Sequence, residues 1–326
     1  LRDFANCSAN AVLPLAVGPA ISATIFLGFE MPILTLIAAD SFESGIISEA
    51  CDRLAAHTCV PATTDWLAEG RAVDIFFDGT LAHARTAVAT LEDRVDIVVQ
   101  YEEQRRKMLL VSDMDSTMIT VECIDELADF AGIKPEIAAI TERAMAGELD
   151  FAEALKARVA LLAGLDADMI QQCLHDRVRP MPGAETLVRT MAAWGAHAVL
   201  VSGGFTSFTG PVAAMLGFAE VHANVLEIEQ GRLTGRLAAD IVDAATKRRV
   251  LQSAAATLGL DLKSALAVGD GANDMPMIAE AVSAEGLGVG YHPRPQLAAA
   301  ANFAVRHNDL TALLFAQGIK PGAWTQ

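Results

Sequence analysis

Apolar positions along this chain recur with two different periods, and the changes of period mark its elements. Ile33 to Ala38 is mostly apolar and reads as extended, which predicts a strand, and Gly45 to His57 sets Ile46, Ile47, Ala50 and Leu54 on one helical face. A weaker strand candidate precedes Gly70. Ala72 to Phe77 predicts a strand, Leu81 to Leu91 a helix and Val95 to Val99 a further strand, so residues 31–100 read βαββαβ. The charged stretch Tyr101 to Lys107 reads as a linker. From residue 108 to 326, apolar strand candidates at Met108–Val111, Ala198–Val201, Ala265–Val268, Gly286–Val289 and Phe303–Val305 each adjoin a segment of helical spacing. This α/β alternation predicts a doubly wound parallel sheet. Residues 120–180 break the alternation. Ile124–Phe130, Lys134–Ala146, Phe151–Leu162 and Ala167–Cys173 read as helices separated by Gly132, Gly147 and Gly164, a helical cap inserted after the first strand. Val225–Ile228 and Arg232–Leu237 flank Gln230-Gly231, the pattern of a hairpin.

Composition narrows the partners more than the fold. At 326 residues, 52% hydrophobic and 20% charged, the chain is globular and long enough for two or three structural units. A net charge of −17 with no offsetting basic block argues against a nucleic-acid partner. It leaves room for an anionic substrate, because a metal ion, an arginine and a lysine can reverse the field inside one pocket. The five cysteines (Cys7, Cys51, Cys59, Cys123 and Cys173) are scattered without a CxxC, which fits buried thiols in a reducing cytoplasm. Ala11 to Phe29 carries no charge and is long enough to span a bilayer, but it holds Pro14 and Pro19 and lacks a basic flank. Met31 followed by Pro-Ile-Leu-Thr-Leu-Ile reads as a natural chain start. Residues 1–30 are therefore expected to be an upstream extension, with a signal or anchor as the alternative, and no stable membrane association is expected.

The chemistry sits at strand ends. Asp113-Met114-Asp115-Ser116-Thr117 follows the first strand of the larger unit. Ser202-Gly203-Gly204 follows the second, and Gly269-Asp270-Gly271-Ala272-Asn273-Asp274 the third. In a doubly wound sheet the carboxyl ends share one edge, so these three segments should converge. A strand-end carboxylate can attack phosphorus if a cation suppresses its charge, and a carboxyl two residues on can serve as acid and then base. Taken alone, the same pair is a solvated turn, and Asp115 can equally cap a helix. Ser202 and the Gly203 N–H can hold phosphate oxygens, although Ser-Gly-Gly is otherwise a generic turn. Gly-Asp-Gly also suggests a calcium loop, but the alternating oxygen ligands are missing. Glu122 and Arg158 offer opposite charges suited to an ammonium and a carboxylate, while Glu153 could be a plain salt-bridge mate for Arg158. Phe151, two turns before Arg158, could shield a pocket. Lys247 opens the cluster Lys247-Arg248-Arg249, from which residue chemistry alone selects no member.

With Ser202, Lys247, Asp270 and Asp274 in register, the Asp113–Thr117 segment resembles the haloacid dehalogenase-like phosphatases. Glu122, the Phe151…Arg158 pair and Ser202-Gly203-Gly204-Phe205 make it most similar to the phosphoserine phosphatase branch, over roughly Met108 to Asp309. The resemblance implies Asp113 as nucleophile, Asp115 as general acid and base, and Lys247 as the cation on the transferring group. It implies Mg²⁺ on Asp113, the main-chain carbonyl of Asp115 and Asp270, with Asp274 behind them. It assigns the phosphate to Ser202, Gly203, Lys247 and Asn273, and the rest of the substrate to Glu122, Phe151 and Arg158. The expected activity is Mg²⁺-dependent hydrolysis of O-phospho-L-serine through an aspartyl phosphate, the last step of serine biosynthesis. Alternatives are another small phosphomonoester, phosphoryl transfer to a second alcohol, or a regulatory protein that senses an amino acid. Residues 31–100 resemble the ACT fold, as a stabilising or dimerising module or a sensor. Tyr291-His292-Pro293-Arg294-Pro295 departs from the branch's small-residue and lysine pattern and is expected to lie beyond the contacts that matter.

Overall fold

The computed structural model describes residues 31–103, 105–145 and 148–325, so the apolar segment Ala11–Phe29 lies outside the described residues. Within them, no helix is long and apolar enough to cross a membrane. The chain divides into two compact units, one ending at Arg105 and the other beginning at Arg106.

The first unit runs β1 (Pro32–Ile37), α1 (Ile46–Ala56), β2 (Val60–Ala68), β3 (Ala72–Asp78), α2 (Leu81–Val88) and β4 (Asp96–Tyr101). Its sheet is antiparallel in the order β2-β3-β1-β4. Alternate residues Leu34 and Leu36, Val73, Ile75 and Phe77, and Ile97 and Val99 pack against Ile46, Ala50, Leu54, Ala84 and Val88 of the helices. The weak strand signal before Gly70 proves to be the nine-residue β2, in which only Leu67 is buried. It lies at the sheet edge with both faces largely wet, so no alternating pattern was imposed on it.

On the other sheet face Thr35 lies directly across from Asp74. Thr35 Oγ1 donates to Asp74 Oδ1 at 2.6 Å, and Arg105 Nη1 meets Asp74 Oδ2 at 2.7 Å. Arg105 is therefore anchored to the first unit. Lys107 is buried too, its N–H donating to Gln317 Oε1 at 3.0 Å and its Nζ to the Lys263 carbonyl at 2.7 Å.

The second unit contains β5 (Leu109–Ser112), the cap helices α3 (Cys123–Phe130), α4 (Lys134–Met145), α5 (Phe151–Leu161) and α6 (Asp168–Arg177), then α7 (Ala184–Ala193), β6 (His197–Phe205), α8 (Thr206–Leu216) and β7 (Glu220–Asn224). A hairpin, β8 (Leu226–Glu229) and β9 (Arg232–Leu237), precedes α9 (Ala244–Leu258), β10 (Ala265–Gly269), α10 (Met275–Ser283), β11 (Leu287–Tyr291), α11 (Pro295–Ala300), β12 (Phe303–Val305) and α12 (Ala312–Ala316). The main sheet is parallel, in the order β12-β11-β10-β5-β6-β7. Its central strands are buried on both faces, and on one of them Leu109, Val111, Val199 and Ala267 pack against Val250 and Leu251 of α9 and Met277 and Ile278 of α10. β7 was not anticipated from the sequence: Glu-Val-His-Ala-Asn is short, polar and at an edge.

The chain leaves β5 toward β6 on one side and returns to β10 on the other. The carboxyl end of β5 is thus the topological switch point, where this class of sheet opens a crevice. Beyond that edge the cap stands on the hairpin. Its two-residue turn takes positive φ at Gln230 (53°) and Gly231 (76°), the conformation that matches strand twist. Gly164 N–H donates to the Leu233 carbonyl at 2.8 Å, Leu233 N–H to Leu165 at 2.9 Å and Ala167 N–H to Gly231 at 2.9 Å.

Burial raises the Asp74 carboxyl above its ordinary range, while Arg105 and Thr35 pull it back. Arg105→Ala, which leaves a buried charge without its cation, is expected to cost about 3 kcal/mol of unfolding free energy near neutral pH. A carboxyl whose folded pKa exceeds its unfolded one holds more protons when folded, so stability falls as pH rises through that window. Urea denaturation should therefore find the deficit of the variant shrinking on acidification; a deficit that does not vary with pH would contradict the assignment.

Candidate active site

Each of the three motif segments leaves its strand at the switch-point edge. Asp113 follows β5 directly, and its N–H continues the ladder to the Val268 carbonyl of β10 at 3.0 Å. The next turn winds around one acceptor: the N–H groups of Thr117, Met118 and Ile119 all lie within 3.2 Å of the Met114 carbonyl. Asp113 Oδ1 accepts the Met114 N–H at 2.7 Å, and Oδ2 meets Lys247 Nζ at 2.7 Å and accepts from Asn273 Nδ2 at 3.2 Å. β6 runs on to Phe205, four residues further than its apolar core predicts. Ser202 Oγ accepts the Gly204 N–H at 2.8 Å and lies 3.5 Å from Asp115 Oδ2.

Lys247 lies in the first turn of α9 and is 1% exposed, whereas Arg248 and Arg249 beside it face solvent. The helix surface decides what the sequence left open: only the member one face inward reaches the sheet. Its Nζ is 2.8 Å from Asp274 Oδ1 as well as 2.7 Å from Asp113. Burial alone would lower its pKa, but the two carboxylates outweigh burial and raise it, so Lys247 stays an ammonium. Asp274 is held from the other side too, its Oδ2 accepting the N–H groups of Asp270 at 3.2 Å and Gly271 at 3.1 Å. Room for it comes from Gly269, where a Cβ would lie 2.2 Å from the Asp274 carboxyl carbon.

Asp113, Asp270 and Asp274 present oxygens that all lie within 4.8 Å of one another, a set able to hold a metal ion. The three differ in how much of that capacity is spent. Asp274 already uses both oxygens on Lys247 and the loop N–H groups, while burial and the charges of Asp113 and Glu122 push the Asp270 carboxyl up to about 6. The same physics acts more strongly on Asp115. Burial first, then the charges of Glu122 and Asp113, raise it to about 7, against hydrogen bonds from the Cys123 side chain and from the Cys123 N–H at 3.2 Å.

These groups floor a cavity of about 520 Å³. Asp113, Asp115, Ser202, Gly203, Asp270 and Asn273 line its sheet side; Glu122, Phe151 and Arg158 line its cap side. Lys247 and Asp274 lie beneath the lining, with Lys247 Nζ against Asp113 Oδ2. Phe151 stands close over the phosphate-loop backbone, with its ring tip 3.3 Å from where a Cβ on Gly203 would sit. Ser116 Oγ donates to Glu122 Oε1 at 2.7 Å, and Arg158 Nε donates to the Ala154 carbonyl at 3.4 Å. Burial lowers the Arg158 pKa, while Asp125 and Glu122 counter it. Glu153, the alternative mate for Arg158, instead completes a capping box with Asp150.

Asp125, Arg294 and Gln296 are among the other residues that line the cavity. The expectation for the 291–295 loop is corrected here. Arg294 caps α11 at the cavity rim, and its N–H donates to the Asp270 carbonyl at 3.3 Å. The available signal was the carboxyl end of β11, which must face the same edge as those of β5, β6 and β10.

Comparison with known proteins adds an independent line. The haloacid dehalogenase-like hydrolase family profile matches residues 110–279. The phosphoserine phosphatase of Albidiferax ferrireducens is 47% identical over 211 residues, which span 63% of this chain and 87% of that protein. That of Streptomyces coelicolor is 44% identical over 72% of this chain, but the match spans only 57% of its own length. A crystal structure of a probable phosphoserine phosphatase from Vibrio cholerae, in unliganded form, superposes with a TM-score of 0.71 at 32% identity, covering 90% of this chain and 88% of that one.

Lys247→Met is expected to cost about 3–5 kcal/mol in urea unfolding, because it strands two buried carboxylates. Arg248→Met, one position on and exposed, should stay within about 0.5 kcal/mol. Equal effects at the two positions would refute the role given to burial.

Proposed function

This chain belongs to the haloacid dehalogenase-like hydrolases, and from that premise we propose that it hydrolyses O-phospho-L-serine to L-serine and inorganic phosphate. One observation carries the reading. A single cavity has at its floor a strand-end carboxylate held by a buried lysine, and on its opposite wall a carboxylate and a guanidinium. That wall complements an amino acid, with Glu122 for the ammonium and Arg158 for the carboxylate. The floor complements its phosphate.

In this mechanism an Asp113 oxygen attacks phosphorus while the P–O bond to the serine oxygen breaks. Asp115, raised to about 7 and so able to carry a proton near neutrality, delivers that proton to the departing alkoxide. The product is an aspartyl phosphate on Asp113. Asp115, now ionised, takes a proton from a water molecule whose oxygen attacks the same phosphorus, which releases phosphate and restores both carboxyl groups. Ser202 Oγ, the Gly203 N–H, Asn273 Nδ2 and Lys247 Nζ supply hydrogen bonds and charge to the transferring group. Phe151, packed toward Gly203, would shield part of the pocket from water.

The acidic set fits Mg²⁺, since its donors are all oxygen and few of them come from protein. Asp113, Asp270 and the main-chain carbonyl of Asp115 would hold the ion, with Asp274 orienting them, because both Asp274 oxygens already accept hydrogen bonds. Bound there, the ion would offset the repulsion between the Asp113 carboxylate and a phosphate dianion.

We place the reaction in the cytoplasm, at the end of serine biosynthesis. The thiols of Cys51, Cys59, Cys123 and Cys173 are buried, in keeping with a reducing compartment. The first unit, with its βαββαβ order and helices on one sheet face, supports an ACT-like module for stabilisation or homodimer formation.

Purified protein with Mg²⁺ should release phosphate from O-phospho-L-serine, and chelation should stop it. Asp113→Asn should abolish both turnover and covalent labelling by beryllium fluoride; retained turnover would remove Asp113 from the attacking role. The proton on Asp115 is lost as pH rises through about 7. Phosphoserine turnover should therefore fall on the alkaline side, while an aryl phosphate, whose leaving group needs no proton, should fall less. Parallel alkaline limbs for the two esters would count against Asp115 as the acid.

A further inference from the structure

We propose that Ser116 is a positioning residue for substrate selection, holding Glu122 so that one carboxylate oxygen remains free for the ammonium of the substrate. The inference rests on the phosphoserine reading above and deepens it. Glu122 occupies the N-cap position of α3, where a carboxylate would ordinarily accept the helix's free N–H groups, yet it makes no such bond. Its side chain turns back to Ser116, whose hydroxyl donates to Oε1 at 2.7 Å. Among the described residues Oε2 has no hydrogen-bond or ion-pair partner, and Glu122 lines the cavity. A carboxylate held at one oxygen and open at the other is the arrangement an ammonium requires.

The backbone supplies a second, independent observation. Ser116 adopts φ of 55°, in the left-handed region that glycine enters freely and other residues enter at a cost. It is the apex of the tight turn around the Met114 carbonyl, between the residue that protonates the leaving group and the residue that receives the ammonium. Glycine would suit that conformation and lacks a hydroxyl. A strained side chain retained where none is needed for the turn points to work done by the hydroxyl.

The test uses the full chain with Mg²⁺ and two esters: O-phospho-L-serine and 3-phosphooxypropanoate, the same molecule without its amino group. Ser116→Ala removes the hydroxyl, and Ser116→Gly removes it while relieving the backbone, so one variant stays informative if the other folds poorly. In both, KM for phosphoserine should rise about tenfold, the loss expected for one hydrogen bond to a charged group, with the change in KM rather than kcat. KM for the ester without an amino group should not move. Unchanged discrimination between the esters in both variants, or an equal rise in KM for both, overturns the inference. Wild-type protein that fails to discriminate between the esters overturns the phosphoserine reading itself, a result obtained before any variant is made.

Discussion

The second unit depends on one buried ammonium. Lys247 sits between Asp113 and Asp274 at contact distance from both, where water cannot screen any of the three. Without that cation two carboxylates would face each other in a low-dielectric interior, and one would neutralise or the loops would part. With it, three chain segments far apart in sequence are fixed to one point: the end of β5, the first turn of α9 and the loop after β10. The geometry of the candidate site and local stability are therefore the same interaction seen from two sides.

Charge also organises the open space above that point. Five carboxylates and two guanidinium groups line the cavity, so its character is set by arrangement more than by net sign. The floor keeps Asp113 against its lysine while Asp115, two residues on, is pushed to about 7. Asp113 has a cation against it, whereas Asp115 is buried beside neighbours of like charge.

The alternation of apolar runs after Met108 read correctly as a parallel sheet, because strands buried on both faces cannot hide their composition. The same argument explains what it missed. β2 and β7 are edge strands with polar faces, and no core disciplines their residues. The site divides in the same manner. Asp113, Asp115, Asp270 and Asn273 were legible because each sits at a strand end, where position in the fold follows from position in the sequence. Lys247 needed the register of the family to single it out from Arg248 and Arg249. The structure replaces that register with a physical reason, since a helix turns one of three neighbours inward. Arg294 was set aside because its loop departs from the usual pattern, and Ser116 passed unremarked because nothing in a sequence announces a positive φ at serine.

The hairpin contributes something beyond support. It is bonded by main-chain groups to the segment that immediately follows α5, so the Arg158 end of that helix lies near a fixed seam and the Phe151 end lies two turns from it. Any tilting of the cap about such an axle would swing the aromatic ring through a wide arc while leaving the guanidinium nearly in place. The two side chains on one helix would then differ in reach, the ring travelling far and the guanidinium acting as a pivot.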